Sequence, residues 1–479
     1  MRKLVALVTA GALLVPPALA QPLPELGEAA QTVFTPQMER RIGEMALAEL
    51  RRDPAFVNDP EVSAYLNALG QRLVAAGPDP RQSFVFFALR DPTVNAFAIP
   101  GGVIGVHTGL ITTAQTESEL ASVLAHEIAH VTQRHVARQL AVQQQIQPLA
   151  LLALALGILA ARSNPGITQA AIVGSQAAGV QAFLNYSRDF EREADRIGFQ
   201  TLQAAGFDVS AAPVFFERLQ KASRLYENNA PVYLRTHPLT SERIADMQGR
   251  AANEPYRQTP DSLDFRLVRA KLMAEAGTPQ QAVTSLETLV RERRFADEVA
   301  ARYGYARALL RARDLPRAGA EVAVLHRMGV QHAMVENLDA TIKREAGDLE
   351  GARETLAAAL KTFPGNLALG LSYVETLQAL GRYRESLDAA DRIAKAYPLE
   401  PRVHELMAKG YAGLGLRTAQ HRALAEFYLL AGSLPAAIEQ LQLARSAGDG
   451  DFYTLSAVDA RLRELRTRQA EEKKEMAGK

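Results

Sequence analysis

Hydrophobic and polar positions near the start of the chain change from a helical to an extended period. Apolar residues recur at helical spacing over about 35–50 and again over about 60–75, which predicts two amphipathic helices. Residues 83–89 are rich in Phe and Val and predict a strand. Residues 95–106 predict two short extended segments joined around Pro100-Gly101-Gly102. The pattern indicates a mainly helical fold that carries a small β-sheet.

A longer helix is predicted from Thr116 to about residue 144. Thr116 is suited to cap its start, and Glu119 three residues later can complete a capping box. The strongly apolar residues 148–161 fall short of the roughly 20 that a membrane-spanning helix needs, so they predict a buried helix or an interfacial hairpin. A further helix is predicted over about 188–205 and ends at Gly206.

The second half of the chain carries an internal repeat. Gly347, Gly381 and Gly415 lie 34 residues apart, and each is followed by a helical stretch that contains small residues. A period of 34 residues with two helices per unit is typical of tetratricopeptide repeats. Gly432 comes 17 residues after Gly415, which suggests that the last unit is shortened or shifted in frame. Residues 250–260 are polar and predict a linker before the repeats.

The first residues have the pattern of a secretory signal peptide. Arg2 and Lys3 precede an almost wholly apolar stretch at residues 4–15, and Ala18-Leu19-Ala20 forms a cleavage site of small residues. A membrane anchor is the alternative, but the apolar stretch is too short to span a bilayer and ends at Pro16-Pro17. We therefore expect cleavage after Ala20 and export to the periplasm.

Composition narrows the functional classes. The chain has 54 basic and 53 acidic residues, and this net charge of +1 predicts no nucleic-acid partner. Without cysteine, neither a lipid at the cleavage site nor a disulfide can form, so at most peripheral membrane contact is expected. A chain of 479 residues exceeds what one core usually supports. We expect a signal peptide at residues 1–20, a first domain at residues 21–255 and a repeat domain at residues 256–479.

The sequence His126-Glu127-Ile128-Ala129-His130 is an HExxH motif within the predicted long helix. Residues i and i+4 lie on one helix face, so both imidazoles can bind one Zn²⁺, and Glu127 can act as the general base. A catalytic zinc site has three protein ligands and one open position, so a third ligand must come from elsewhere. His135 does not fit the metzincin spacing and is predicted to be an exposed helix residue.

Acidic residues on the helix predicted over 188–205 supply a better third ligand. Glu191 and Asp195 are four residues apart and share one helix face, whereas Glu193 points elsewhere. One of the two carboxylates can bind metal while the other hydrogen-bonds a ligand histidine or the substrate. A solvated charged face is the alternative that these residues by themselves leave open.

Three motifs together resemble a known peptidase family. They are NAFAIPGG at residues 95–102, HEIAH at residues 126–130 and EREADRIG at residues 191–198. In this order they are similar to the HExxH peptidase family that includes HtpX and the CAAX prenyl proteases, over roughly residues 35–250. With the signal peptide and the repeats, the chain resembles periplasmic members that act as chaperones and proteases in outer-membrane biogenesis.

The resemblance implies a role for each site residue. His126, His130 and Glu191 match the zinc ligands, with one Zn²⁺ per subunit. Glu127 matches the general base, and Asp195 matches an acid that is assigned as proton donor. The implied fold is a zincin-like helical metallopeptidase domain with a small β-sheet, followed by an α-solenoid of tetratricopeptide repeats.

Two further segments carry expectations from the resemblance. His237-Pro238, followed by Arg243, resembles a segment whose histidine can occupy the open zinc position and hold the enzyme inactive. A loop histidine packed near a helix start is the alternative, since Pro238 favours an extended conformation at His237. Residues 99–106 resemble the edge strand that pairs with the substrate backbone.

These expectations lead to two functional hypotheses. The first is a periplasmic zinc metalloendopeptidase and chaperone that degrades misfolded or stalled outer-membrane proteins, assists outer-membrane protein assembly and reaches the assembly machinery through its repeats. The second is a non-proteolytic periplasmic chaperone or adaptor that acts through its tetratricopeptide repeats. The intact HExxH motif and Glu191 favour the first, while the His237 segment keeps the second open as a resting state.

Overall fold

Two capped helices open the described part of the structure. The computed structural model describes residues 34–143, 188–224, 232–255, 257 and 259–476, so the predicted signal peptide and the apolar residues 148–161 lie outside it. Helix α1 (Pro36–Leu50) is capped by the side chain of Thr35, and helix α2 (Pro60–Ala76) by that of Asp59. Both helices lie where the hydrophobic pattern predicts them.

Three short strands form a mixed sheet beside these helices. Strand β1 (Val85–Leu89) pairs in parallel with β3 (Val103–His107), and β2 (Ala96–Ile99) pairs with β3 in the antiparallel direction. The order β1-β3-β2 makes β3 the central strand and β2 an edge strand. The expectation that the edge strand extends over residues 99–106 is therefore wrong, because β3 has a partner on each side.

The predicted long helix is broken into two. Helix α3 (Thr108–Thr113) precedes α4 (Glu117–Thr132), and α5 (His135–Gln143) follows after a break at Arg134, whose φ is 52°. A single helix to residue 144 is excluded because this left-handed residue interrupts the helix. The guanidinium of Arg134 donates to Glu39 at 3.2 Å. Thr116 caps α4 as predicted. The capping box does not form, since the Glu119 carboxylate accepts from the amide of Gln115 instead.

Four further described helices complete this part of the chain, and the first two of them pack on α4. They are α6 (Arg188–Ala204), α7 (Ala211–Arg224), α8 (Val232–Thr236) and α9 (Ser241–Ala252). Side chains are buried along α4 from its first residue to its penultimate one, so α4 is an interior helix rather than an amphipathic surface helix. None of the helices in the described ranges combines the length and the apolar character that crossing a bilayer requires.

The remaining described helices pair into six consecutive hairpins. They are α10 (Leu263–Glu275) with α11 (Pro279–Arg291), α12 (Glu298–Arg311) with α13 (Leu315–Arg327), α14 (Ala333–Glu345) with α15 (Leu349–Thr362), α16 (Leu367–Ala379) with α17 (Tyr383–Ala396), α18 (Pro401–Gly413) with α19 (Arg417–Leu430), and α20 (Leu434–Ser446) with α21 (Phe452–Met476). The mainly α fold class, with a small sheet followed by a helical solenoid, is confirmed.

Left-handed residues mark the turns within the hairpins. Gly347, Gly381 and Gly415 have positive φ there, and Gly448 continues the series 33 residues after Gly415. Gly432 lies instead in the connection between two hairpins, α19 and α20. The expectation of a shortened or shifted last unit is therefore wrong, because Gly432 belongs to the other kind of turn.

The first hairpins share a hydrophobic core with the N-terminal helices. A continuous cluster of buried residues extends from α2 and the sheet to α14. Within it, Phe265 of α10 packs on Tyr65 of α2 with ring centroids 6.3 Å apart. Further along the solenoid, Arg51 at the end of α1 donates to the carbonyl of Leu430 at 3.2 Å. The repeats therefore contact the first half of the chain at two separate places.

Candidate metal centre

Helix α4 brings the two histidines of the HExxH motif together. His126 and His130 lie one turn apart, with ring centroids separated by 4.6 Å and Nε2 atoms by 3.0 Å. Both rings are buried, so bulk water does not solvate them. Their Nε2 atoms point into one space, as the i, i+4 spacing predicts.

Helix α6 brings a carboxylate to the same space. Gly198 of α6 lies close to α4: a Cβ atom at this position would be 3.1 Å from backbone atoms of His126. The two helices can approach this closely because glycine has no side chain. The Oε1 atom of Glu191 lies 3.3 Å from Nε2 of His130, and its Oε2 atom lies 3.5 Å from Nε2 of His126. The structure thus brings together the three residues expected to be metal ligands.

His237 completes a group of four donors. It follows α8, and its Nδ1 lies 2.9 Å from Oε1 of Glu191 and 3.4 Å from Nε2 of His126. One donor atom from each of His126, His130, Glu191 and His237 lies within 4.8 Å of the others, and all four residues are buried. Three imidazole nitrogens and one carboxylate oxygen are a donor set that zinc binds in tetrahedral geometry, so these residues fit such an ion.

Glu127 lies beside this group with a carboxylate that is 0% exposed. Neither of its oxygens has a hydrogen-bond partner among the described residues, although Nε2 of His237 lies 3.5 Å from Oε1. Burial raises the pKa of Glu127, and the nearby His237 and His126 offset part of this effect. A carboxyl group whose pKa is raised toward the working pH is suited to accept and release a proton.

Asp195 and Arg243 lie behind the four donors. Oδ1 of Asp195 is 3.1 Å from Nδ1 of His126, and Arg243 donates to both Asp195 oxygens at 2.7 and 2.8 Å. Arg243 also reaches Oε2 of Glu191 at 2.8 Å. With both oxygens engaged in this way, Asp195 is placed to orient the ring of His126. The proton-donor role that the resemblance implies for Asp195 stays a prediction.

Known proteins are similar to this chain over almost its whole length. The model of peptidase family M48 matches residues 60–251, and a tetratricopeptide-repeat model matches residues 343–410. A beta-barrel assembly-enhancing protease from Escherichia coli (strain K12) is 32% identical over 455 residues, which cover 93% of this chain and 92% of that protein. One from Yersinia pestis is 31% identical over 451 residues, which cover 93% and 91% of the two chains. The chain belongs to peptidase family M48.

As a member of M48, the chain is a metallopeptidase, and its four-donor group can bind the metal ion that the family implies. A relative from Vibrio cholerae aligns over a shorter stretch, with 40% identity over 262 residues, or 54% of each chain. The expected family, the enzyme class and the tetratricopeptide character of the repeats are confirmed.

Charges in this M48 site are distributed unevenly between the two motif histidines. Burial disfavours a charged His126, but Asp195 and Glu191 outweigh it and raise the pKa of His126 to about 10. Burial prevails at His130 and holds its pKa well below the usual value. Burial also disfavours a charged Glu191, yet His237 and hydrogen bonds from the imidazoles hold the pKa of this carboxyl well below its usual range. The group therefore keeps an ionised carboxylate, as a bound cation requires.

His135 and Glu193 were not recognised as part of the site from the sequence. His135 was expected to be exposed but is 0% exposed, with Nδ1 2.8 Å from Nδ1 of His130 and Nε2 3.2 Å from Glu193. The expectation is wrong because the break at Arg134 turns His135 back against α4. Burial lowers the pKa of His135 to about 4, so its ring is neutral at neutral pH. The signal available in the sequence was a third histidine, His135, only five residues after His130. On a continuous helix this spacing places the two residues on different faces, so the contact between them is not expected.

Strand β2 lies beside the metal centre. Ala98 and Ile99 of β2 line a small cleft together with His130 and Arg134. One side of β2 pairs with β3, and no other strand in the described ranges pairs with the opposite side. The edge of the sheet therefore runs close to one of the two motif histidines.

Proposed function

We propose that this chain is a zinc-dependent endopeptidase and chaperone of the periplasm that degrades misfolded or stalled outer-membrane proteins and assists their assembly. The observation that carries the proposal is the buried donor group of His126, His130 and Glu191 with Glu127 beside it. Relatives named beta-barrel assembly-enhancing proteases support the link to outer-membrane assembly. The proposed organisation is a signal peptide at 1–20, a metallopeptidase domain at 21–255 and a repeat domain at 256–479.

In this proposal His126, His130 and Glu191 hold one Zn²⁺ per chain. When bound, zinc supplies Lewis-acid chemistry that polarises the scissile carbonyl and makes water more acidic. Glu127 accepts the proton that water loses as it attacks the carbonyl carbon, and then gives that proton to the leaving amine nitrogen. Asp195 engages Nδ1 of His126, so that Nε2 faces the ligand group.

His237 is proposed to hold the resting enzyme inactive. Its ring stacks on Tyr233 with centroids 4.7 Å apart, and it stands between Glu191 and Glu127, at 2.9 and 3.5 Å. An imidazole at the fourth ligand position competes with the water that must reach Glu127. Proteolysis then requires the segment after α8 to move aside.

Substrate and partner are proposed to bind at different places. An extended segment of an unfolded or misassembled outer-membrane protein can add, through backbone hydrogen bonds, to the edge of β2 that no described strand covers, next to His130. The repeats present stacked hairpins of the kind that forms concave binding surfaces, and we assign them to the outer-membrane assembly machinery.

A non-proteolytic chaperone or adaptor is the second candidate function. The observation that favours it is His237 within the donor group, because a permanently closed site would bind metal without cleaving peptides. The two candidate functions predict different results when His237 is removed from the donor group: the peptidase becomes more active, whereas the adaptor still cleaves no peptide.

Substitution of the general base tests the proposal. The mature protein is expected to bind one zinc and to degrade casein. Glu127→Gln is expected to keep the zinc and to lose about 10²–10⁴-fold in casein degradation, because the amide has no basic site for the proton. A His126→Ala/His130→Ala variant serves as the metal-free control. Full proteolysis by Glu127→Gln, or one zinc retained by the double variant, contradicts the assignment. Zinc binding with no proteolysis, even in His237→Ala, favours the adaptor.

A further inference from the structure

The two motif histidines differ in what lies behind them. Nδ1 of His126 faces a carboxylate directly, at 3.1 Å from Asp195. Nδ1 of His130 faces a second imidazole instead, at 2.8 Å from Nδ1 of His135. The opposite nitrogen of that ring, Nε2, lies 3.2 Å from the carboxylate of Glu193. His130 is thus connected to a carboxylate through one intervening ring.

The ring of His135 is held in place from several sides. It stacks on Phe190 with centroids 4.6 Å apart and an interplanar angle of 13°. Arg138 donates to the same Glu193 carboxylate at 2.7 Å and lies over the other ring of the pair, 4.7 Å from the centre of Phe190. The left-handed residue Arg134 separates α4 from α5, and α5 begins with His135. These contacts fix a particular ring orientation rather than filling space alone.

The positions of the protons along the series His130, His135 and Glu193 follow from the role of His130 as a metal donor. If Nε2 of His130 is to offer its lone pair to a metal, the ring proton must reside on Nδ1 and requires an acceptor. The facing Nδ1 of His135 is that acceptor when His135 carries its own proton on Nε2. That proton is in turn donated to Glu193, which carries the negative charge. Each of the two hydrogen bonds then has one donor and one acceptor, and both point from His130 toward Glu193.

We propose that His135 and Glu193 are positioning residues for the metal centre, which fix the tautomer and the orientation of His130 through this relay. The inference rests on the proposed metal binding by His126, His130 and Glu191. Groups that hold a metal-ligating histidine in this way typically contribute about 10–100-fold to metal affinity. Glu191 and Glu193 therefore serve the same metal from one helix, the first as a ligand and the second through two imidazoles.

Zinc affinity of the mature full-length chain tests the relay. Chelator competition gives the zinc dissociation constant, and thermal unfolding of the metal-free proteins reports on the fold. His135→Phe keeps an aromatic ring to stack on Phe190 but removes the acceptor, and we expect about 10–100-fold weaker zinc binding at an unchanged thermal midpoint. Glu193→Gln retains an acceptor oxygen for His135, so its loss should be smaller than that of His135→Phe.

His326→Phe is the matched control, because His326 in the repeats also lies 3.2 Å from a carboxylate, that of Glu336. It is expected to bind zinc like the wild type. If His135→Phe folds and binds zinc within about twofold of the wild type, the relay is refuted while the metal site stands. If His135→Phe does not fold, Glu193→Ala decides, since its side chain is 26% exposed and its removal should weaken zinc binding without unfolding. A wild type that binds no zinc refutes the proposed function and this inference together.

Discussion

Lys271 is expected to be a principal electrostatic link between the repeats and the N-terminal helices. Its ammonium group, on α10, is in contact with Asp59 and lies 2.5 Å from Glu61 at the start of α2. Lys271 is 5% exposed, so both carboxylates depend on a nearly buried cation. Asn337 of α14 also donates to Glu61, at 2.7 Å, which extends the link to the third hairpin. Lys271→Met keeps the aliphatic stem and removes the charge.

The expected cost follows from the burial of the three groups. Removal of one partner from a buried ion pair costs about 3–5 kcal/mol, because the remaining charge stays desolvated. The Asp59 side chain is 25% exposed and water screens it in part, whereas that of Glu61 is 7% exposed. We therefore expect a loss of about 3 kcal/mol for Lys271→Met, at the lower end of the range. The triple variant Lys271→Met/Asp59→Asn/Glu61→Gln carries no unpaired charge and should recover at least half of that loss.

Urea unfolding of the mature protein, followed by helical circular dichroism, measures both effects. The shared core from α2 to α14 predicts that the first hairpins unfold together with the peptidase helices. If the slope of the unfolding free energy against urea concentration is the same in each protein, unfolding exposes the same amount of surface in each. Stability of Lys271→Met within about 1 kcal/mol of the wild type would refute the electrostatic reasoning. A triple variant no more stable than Lys271→Met would refute it as well.

Two further predictions concern the latch and the pH dependence of this link. His237→Ala should degrade casein faster than the wild type while still binding one zinc, because it removes the competitor for water. Equal rates in the two folded, zinc-loaded proteins would show that His237 is no latch. At Asp59, Lys271 outweighs the effect of burial and holds the pKa below its ordinary 3.8. Its stabilising charge should therefore be present at pH 7 and lost as the pH falls through the lowered pKa. Asp59→Asn, which keeps the helix cap, should be less stable than the wild type at pH 7, with a difference that shrinks below about pH 4. A difference that is independent of pH would contradict this.

Local patterns in the sequence predict most of the elements but not their connections. The helix over 36–50, the strand at 85–89 and the turns at Gly347 and Gly381 follow from periodicity and from residues that favour caps and turns. The break at Arg134 does not, because arginine carries no preference for a left-handed conformation. It is stabilised by contacts such as the one with Glu39, which is distant in sequence. The choice of β2 as the edge strand likewise depends on the parallel pairing of β1 with β3, which no local pattern encodes.

The proposed metal ligands could be anticipated in part from helix geometry, while the choice of Glu191 followed from the family resemblance. His126 and His130 share a face of α4 by their spacing, and Glu191 shares a face of α6 with Asp195. Spacing alone leaves open which of the two carboxylates belongs to the donor group. The structure places Glu191 next to both Nε2 atoms and Asp195 behind His126, because of how α6 lies across α4 at Gly198. That crossing is a tertiary property.

In the proposed site, three acidic residues of α6 have three different roles, which their spacing reveals only in part. Glu191 and Asp195 lie on the face toward α4, while Glu193, two residues from each, must point away from it. Glu193 meets His135, whose Nδ1 lies 2.8 Å from Nδ1 of His130. After the break at Arg134, His135 lies 3.2 Å from Glu193, which also accepts from Arg138 at 2.7 Å. In the proposed site, the break between α4 and α5 thus allows one acidic helix to position both histidines of the motif.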